Sequence, residues 1–190
     1  MQAITQAITE RLAVPATRRA ALLTAGVAGF ALAMVAAAYV RVPLPFSPVP
    51  VTLQTMVALL AGAMLGPGAG AAGMVLYLSL GAAGLPVFTT GATIGLTGGY
   101  LVGFAVAAAL VGWAARCRRP DLPVAAAMVA GSLAVYALGA TWLALVTGMS
   151  AGQALATGVL PFIPGDAIKL AAAFGAWRLG RTAWQRLSRG

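Results

Sequence analysis

The 190-residue chain has no histidine, a single cysteine (Cys117), a single lysine (Lys169) and three acidic residues, Glu10, Asp121 and Asp166. Without histidine there is no Ser-His-Asp triad and no imidazole metal site, and one cysteine closes no disulfide within the chain. Hydrolysis by paired carboxylates would need two widely separated acids to meet, and only Asp166 sits inside an apolar run. No Gly-x4-Gly-Lys-Ser/Thr phosphate loop is present. The chain is therefore expected to be no enzyme, with no catalytic residues, no metal and no cofactor of its own. Charge is scarce as well, at 8% of residues against 61% hydrophobic, which excludes a water-soluble globular domain.

What is abundant is apolar sequence in lengths that suit a bilayer. A membrane-crossing helix needs about 20 mostly apolar residues, and six segments qualify or come close: 20–40, 52–66, 69–85, 94–115, 124–147 and 164–181. The second and third are short and meet at Gly66-Pro67-Gly68, turn chemistry that predicts a tight hairpin rather than one broken helix. The expectation is an all-α membrane protein of six transmembrane helices forming one integral domain over residues 1–190. Residues 1–12 are expected to form a surface helix that Pro15 ends, and Trp177 and Trp184 to anchor the far end at the interface.

The net charge of +9 would suggest nucleic acid in a soluble protein, but here its distribution reports topology. Ten of the twelve basic residues lie before the first segment (Arg11, Arg18, Arg19), between the fourth and fifth (Arg116, Arg118, Arg119) and at the end (Arg178, Arg181, Arg186, Arg189). Because positive residues near the membrane stay cytoplasmic, six crossings with both termini cytoplasmic fit the pattern and an odd number does not. The partner is the lipid bilayer, with no nucleic acid.

Asp166 and Lys169 interrupt an apolar run at Leu160-Pro-Phe-Ile-Pro-Gly-Asp-Ala-Ile-Lys169. An ionisable group at membrane depth costs about 2.5–3.5 kcal/mol on insertion scales, so it normally faces protein or a wet cavity and is a functional candidate. Three residues apart, the two share a helix face. Pro161 and Pro164 suit a helix start, which places Asp166 in the first turn and the pair at the outer mouth of the sixth span. The alternative is structural: Asp166 caps the helix while Lys169 pairs with it and extends its head toward the outer interface.

Between the first two spans, Pro43, Pro45, Pro48 and Pro50 make a stiff, extended loop. With Phe46 at its centre it suits a lid that delivers Gln54 to an outward pocket; equally, it suits a rigid connector with Gln54 facing another helix. Glycines at Gly91, Gly95, Gly99 and Gly103, and at Gly62 and Gly66, point to close helix packing rather than ligand contact. Tyr77, Phe88, Thr97 and Tyr100 lie near the outer ends, either as ligand stackers or as interfacial anchors. Ala33 and Ala37 form a small-x-x-x-small pair on the first span, suited to receiving a partner helix or to internal packing.

Taken together, Pro48-Val-Pro-Val-Thr-Leu-Gln54, Gly84-Leu-Pro-Val-Phe88, Thr97-Gly-Gly-Tyr-Leu-Val-Gly-Phe104 and the Leu160–Lys169 segment resemble the BioY family, the biotin-specific S components of energy-coupling-factor (ECF) transporters. The resemblance implies the ECF S-component fold in a bacterial cell (inner) membrane. It also implies capture of biotin from outside, and assembly with a transmembrane T component and cytoplasmic ATP-binding subunits that consume the ATP. The family's acid and lysine match Asp166 and Lys169, which are implied to hold polar groups of biotin. By chemistry Asp166 suits the ureido N–H donors, and Lys169 the ureido carbonyl or the carboxylate. Gln54, Tyr77, Phe88 and Tyr100 complete the implied pocket. A longer glycine-rich loop with an arginine, found in family members after the Gly-Leu-Pro-Val-Phe motif, is here short and uncharged from Thr89 to Gly95, leaving Arg41 or backbone amides for the carboxylate. An S component for another small vitamin, or a ligand-free assembly subunit, are the competing readings.

Overall fold

The computed structural model describes residues 16–89 and 94–187. The surface helix expected over residues 1–12, and Gly91, lie outside that range. Each of the six apolar segments is helical. The first is α1 (Ala16–Tyr39), 24 residues long, or about 36 Å at 1.5 Å per residue. Next come α2 (Gln54–Leu65) and α3 (Pro67–Ala82). A single residue joins them: Gly66 stands at φ 83°, where a side chain would be strained, and Pro67 opens α3 where its missing N–H costs nothing. The expected hairpin is present. At 12 and 16 residues, α2 and α3 reach only about 18 and 24 Å.

A 3-10 turn (Gly95–Thr97) leads into α4 (Gly98–Ala114), and α5 (Asp121–Thr147) runs to Gly148, left-handed at φ 72°. The structure adds a helix that the hydropathy pattern did not predict, α6 (Ala151–Gly158), too short and too polar to stand out. It is nucleated by a capping box in which Ser150 Oγ accepts from Gln153 N–H and Gln153 Oε1 accepts from Ser150 N–H. The last helix is α7 (Ile163–Leu187), with Pro164 and Asp166 in its first turn. By length and composition three helices are able to cross a membrane (Thr17–Tyr39, Gly95–Ala114 and Asp121–Thr147). A fourth follows if α6 and α7, bent by 54°, count as one span.

The proline-rich connector corrects the all-α expectation. It is a β-hairpin, β1 (Arg41–Leu44) antiparallel to β2 (Ser47–Thr52), pairing Arg41 with Thr52 and Val42 with Val51. Prolines are tolerated because, among the described residues, neither strand has a second strand neighbour in the sheet to receive hydrogen bonds. A lone hairpin is marginal in isolation; this one is held because Val49 is buried and Ser47 Oγ–H donates to the Thr157 carbonyl (2.7 Å), fastening it to the end of α6.

Helix α4 is the centre of the bundle, packed against α2, α3 and α5. The approach is close where the glycines fall: a Cβ at Gly62 would overlap the Ala108 carbonyl, and one at Gly99 the Leu138 carbonyl. Packing, as the spacing suggested, is what these glycines serve. Ala37 is buried within the chain, whereas Ala33 is half-buried. Trp177, expected at the interface, is instead buried, with the Arg181 guanidinium 5.1 Å above its ring.

Most of the basic residues gather at one end. Asp121 at the start of α5 meets Arg181 (3.1 Å) and Arg178 (3.8 Å) from α7, and Arg116 lies beside Gly66 at the α2–α3 turn. Gly26, on the N-terminal half of α1, packs on Leu65 beside the same turn. The hairpin, α6 and the first turn of α7 form the opposite end.

A polar pocket at the end opposite the arginines

Asp166 and Lys169 are both buried, at 5% and 8% exposure. Lys169 Nζ donates to Asp166 Oδ1 (2.6 Å) and the Tyr136 hydroxyl donates to Oδ2 (2.7 Å), so each carboxylate oxygen has a donor. Lys169 pairs with Asp166, as the structural alternative also expected, but its head is buried inside the protein rather than extended to the interface. Taking two charges out of water is costly and is offset only by close pairing and further hydrogen bonds. Tyr136 supplies one such bond.

This ion pair lies in the wall of a cavity between β2, α2, α4, α5 and α7. Val49, Pro50, Thr52, Gln54, Thr55, Thr89, Thr97, Tyr100, Leu101, Phe104, Val135, Tyr136 and Phe162 complete the lining. Counted to its open mouth, the space between atoms is about 460 Å³, of which only about 40 Å³ admits the centre of a water molecule. A ligand larger than a few waters has to move a wall or displace an internal contact.

Of the residues expected at the site, Asp166, Lys169, Gln54 and Tyr100 line the cavity. Tyr77 and Phe88 do not. Buried at 1% and 2% exposure, they stand behind it and are not interfacial anchors. Gln54 Nε2 donates to the Tyr77 hydroxyl (2.8 Å), which donates onward to the Val87 carbonyl (3.2 Å); the Phe88 ring meets Tyr77 edge-on at 5.4 Å. This chain holds Gln54 in one orientation. The Tyr100 hydroxyl is also committed, donating to the Gly158 carbonyl (2.7 Å), and leaves its ring face for the cavity.

The expected lid residues Pro43, Pro45, Phe46 and Pro48 are not in the wall. Phe46 is 63% exposed at the hairpin turn, because pairing of the strands carries the tip away and turns Val49, Pro50 and Thr52 inward instead. Tyr136 is the residue that sequence reasoning missed. Its signal was a lone phenol in the apolar fifth segment, 30 residues before Asp166 and with no spacing relation to it.

A bundle of long apolar helices with a polar, ion-paired pocket at one end and arginines at the other defines a polytopic membrane protein built to hold a small molecule. The chain belongs to the BioY family, whose sequence pattern matches residues 9–188. It is 37% identical to the biotin transporter BioY of Thermotoga maritima over 87% of this chain and 98% of that one. It is 38% identical to the biotin transporter BioY of Rhodobacter capsulatus over 74% of this chain and 83% of that one. The crystal structure of the S-component for biotin from an ECF-type ABC transporter superposes on it with a TM-score of 0.78 and 27% identity, covering 90% of this chain and 95% of that one.

Proposed function

We propose that this protein is the biotin-binding S component of an ECF-type vitamin transporter. It captures biotin at the outer face of a bacterial inner membrane and passes it inward with a transmembrane T component and ATP-binding subunits. The observation that carries this reading is the Asp166–Lys169–Tyr136 cluster buried in the cavity wall, in a chain whose relatives are biotin transporters. Six crossings with both termini cytoplasmic put the arginine-rich end inside, where the positive-inside rule wants it, and the pocket outside. The chain forms one integral domain and binds no cofactor itself; ATP is consumed by its partners.

Binding proceeds by exchange of partners. Asp166 accepts from a ureido N–H of biotin, Lys169 is released to donate to an oxygen, and Gln54, held by Tyr77, donates or accepts beside them. Tyr100, Phe104 and Phe162 pack the apolar ring system. An analogue lacking one of these polar groups leaves a buried partner unmatched, at about 1–3 kcal/mol. The hairpin, held at its base, at Ser47 and by the buried Val49, is the wall that moves to admit the ligand. The test is thermal stabilisation of the detergent-purified chain across a panel of vitamins. Biotin at about 100 times its Kd adds about 2.7 kcal/mol, and stabilisation by a different vitamin, or by none, overturns the assignment.

A further inference from the structure

Among the residues whose side chains are described, seven arginines occupy the end away from the pocket, and Lys169 is committed to Asp166. The remaining cation, Arg41, opens β1 at the pocket end. It is paired directly with Thr52 across the hairpin, so the two side chains share a face, and Thr52 lines the cavity. The Arg41 guanidinium donates to the carbonyl of Thr89, another lining residue. Unlike Lys169, Arg41 is exposed, so its charge keeps water while its guanidinium reaches a residue of the cavity lining. A guanidinium has five N–H donors in a planar fork, and a carbonyl bonded through one nitrogen leaves most of them free.

We propose that Arg41 is a specificity-determining residue that takes the carboxylate at the tail of the ligand, selecting an acid over its uncharged analogues. The inference rests on the biotin reading and divides the ligand between two charged stations. The ureido ring sits at the buried Asp166–Lys169 pair and the tail runs toward the mouth, where a carboxylate keeps part of its hydration and gains a charge-assisted fork from Arg41. An anion there avoids the desolvation that a second buried charge would cost. Because the same guanidinium ties the hairpin to Thr89, an arriving carboxylate also completes the contact between the moving wall and the fixed one.

The experiment compares binding of biotin, biotin methyl ester and biotinamide by the wild-type chain and by Arg41→Met and Arg41→Lys, each purified in detergent. Wild type is expected to prefer the acid. In Arg41→Met the acid should weaken about 10- to 100-fold while ester and amide hold their wild-type affinities, erasing the preference; Arg41→Lys should keep part of it. If Arg41→Met weakens all three alike, Arg41 serves only to fasten the hairpin and the proposal is overturned. An unchanged acid-to-ester ratio in Arg41→Met overturns it as well. Wild type that binds none of the three would overturn the biotin reading itself, a result distinct from failure of the Arg41 assignment.

Discussion

Replacing Asp166 by Asn keeps the shape of the side chain and one acceptor for Lys169, but leaves the buried ammonium without a countercharge. With both partners less than a tenth exposed, solvent screening is small, and breaking such a pair costs about 3–5 kcal/mol. The retained acceptor puts Asp166→Asn near the lower figure, about 3 kcal/mol, or about 6–12 °C in Tm for a chain of this size. Asp166→Asn/Lys169→Met removes the orphaned charge and should recover most of that loss, since apolar replacement of a buried pair is often close to neutral. Neither variant should bind biotin normally: a hydrogen bond to a charged group contributes about 1.5–3 kcal/mol, so affinity falls at least about 10-fold in both. Differential scanning fluorimetry in detergent, with and without biotin, reads both quantities. The reasoning is refuted if Asp166→Asn keeps wild-type Tm and affinity, or if the double variant recovers binding together with stability.

Three further outcomes test other parts of the structure. Tyr136→Phe removes the donor to the charged Asp166 Oδ2 and should lower stability by about 1.5–3 kcal/mol and weaken biotin binding measurably; identical titrations for wild type and variant would exclude Tyr136 from the site. Gly62→Ala drives a Cβ into the Ala108 backbone and should cost about 1–3 kcal/mol, whereas Gly29→Ala, with nothing within 4 Å, should leave Tm unchanged or slightly raised; equal Tm values for the two would refute the close α2–α4 approach. Cys117, the chain's only cysteine and exposed near the arginine-rich end, should react with a membrane-impermeant maleimide in inverted vesicles and not in intact cells or right-side-out vesicles. The opposite pattern would reverse the proposed orientation.

The short elements and the long ones were not equally legible. The six helical segments appear in sequence as apolar runs because every backbone group in lipid must be satisfied within its own helix, so α1, α4 and α5 lie within a few residues of their expected bounds. The hairpin was hidden because four prolines in eight residues also describe an extended loop; strand pairing depends on a partner segment that hydropathy does not show. Helix α6 was hidden by its length, its start set by the local Ser150–Gln153 box rather than by any apolar period.

By itself, then, the sequence determined the apolar helical segments, the charge asymmetry, and the placing of one acid and one lysine on one face of the last helix, all properties of composition or of spacing along a single helix. Tertiary structure alone decided that Tyr136 reaches Asp166, that Gln54 is braced by Tyr77, that the hairpin tip stays out of the cavity wall, and that Arg41 reaches the Thr89 carbonyl. Those relations join residues 23 to 48 positions apart, brought together by glycine-mediated helix packing and strand pairing. No local pattern encodes contacts of that kind.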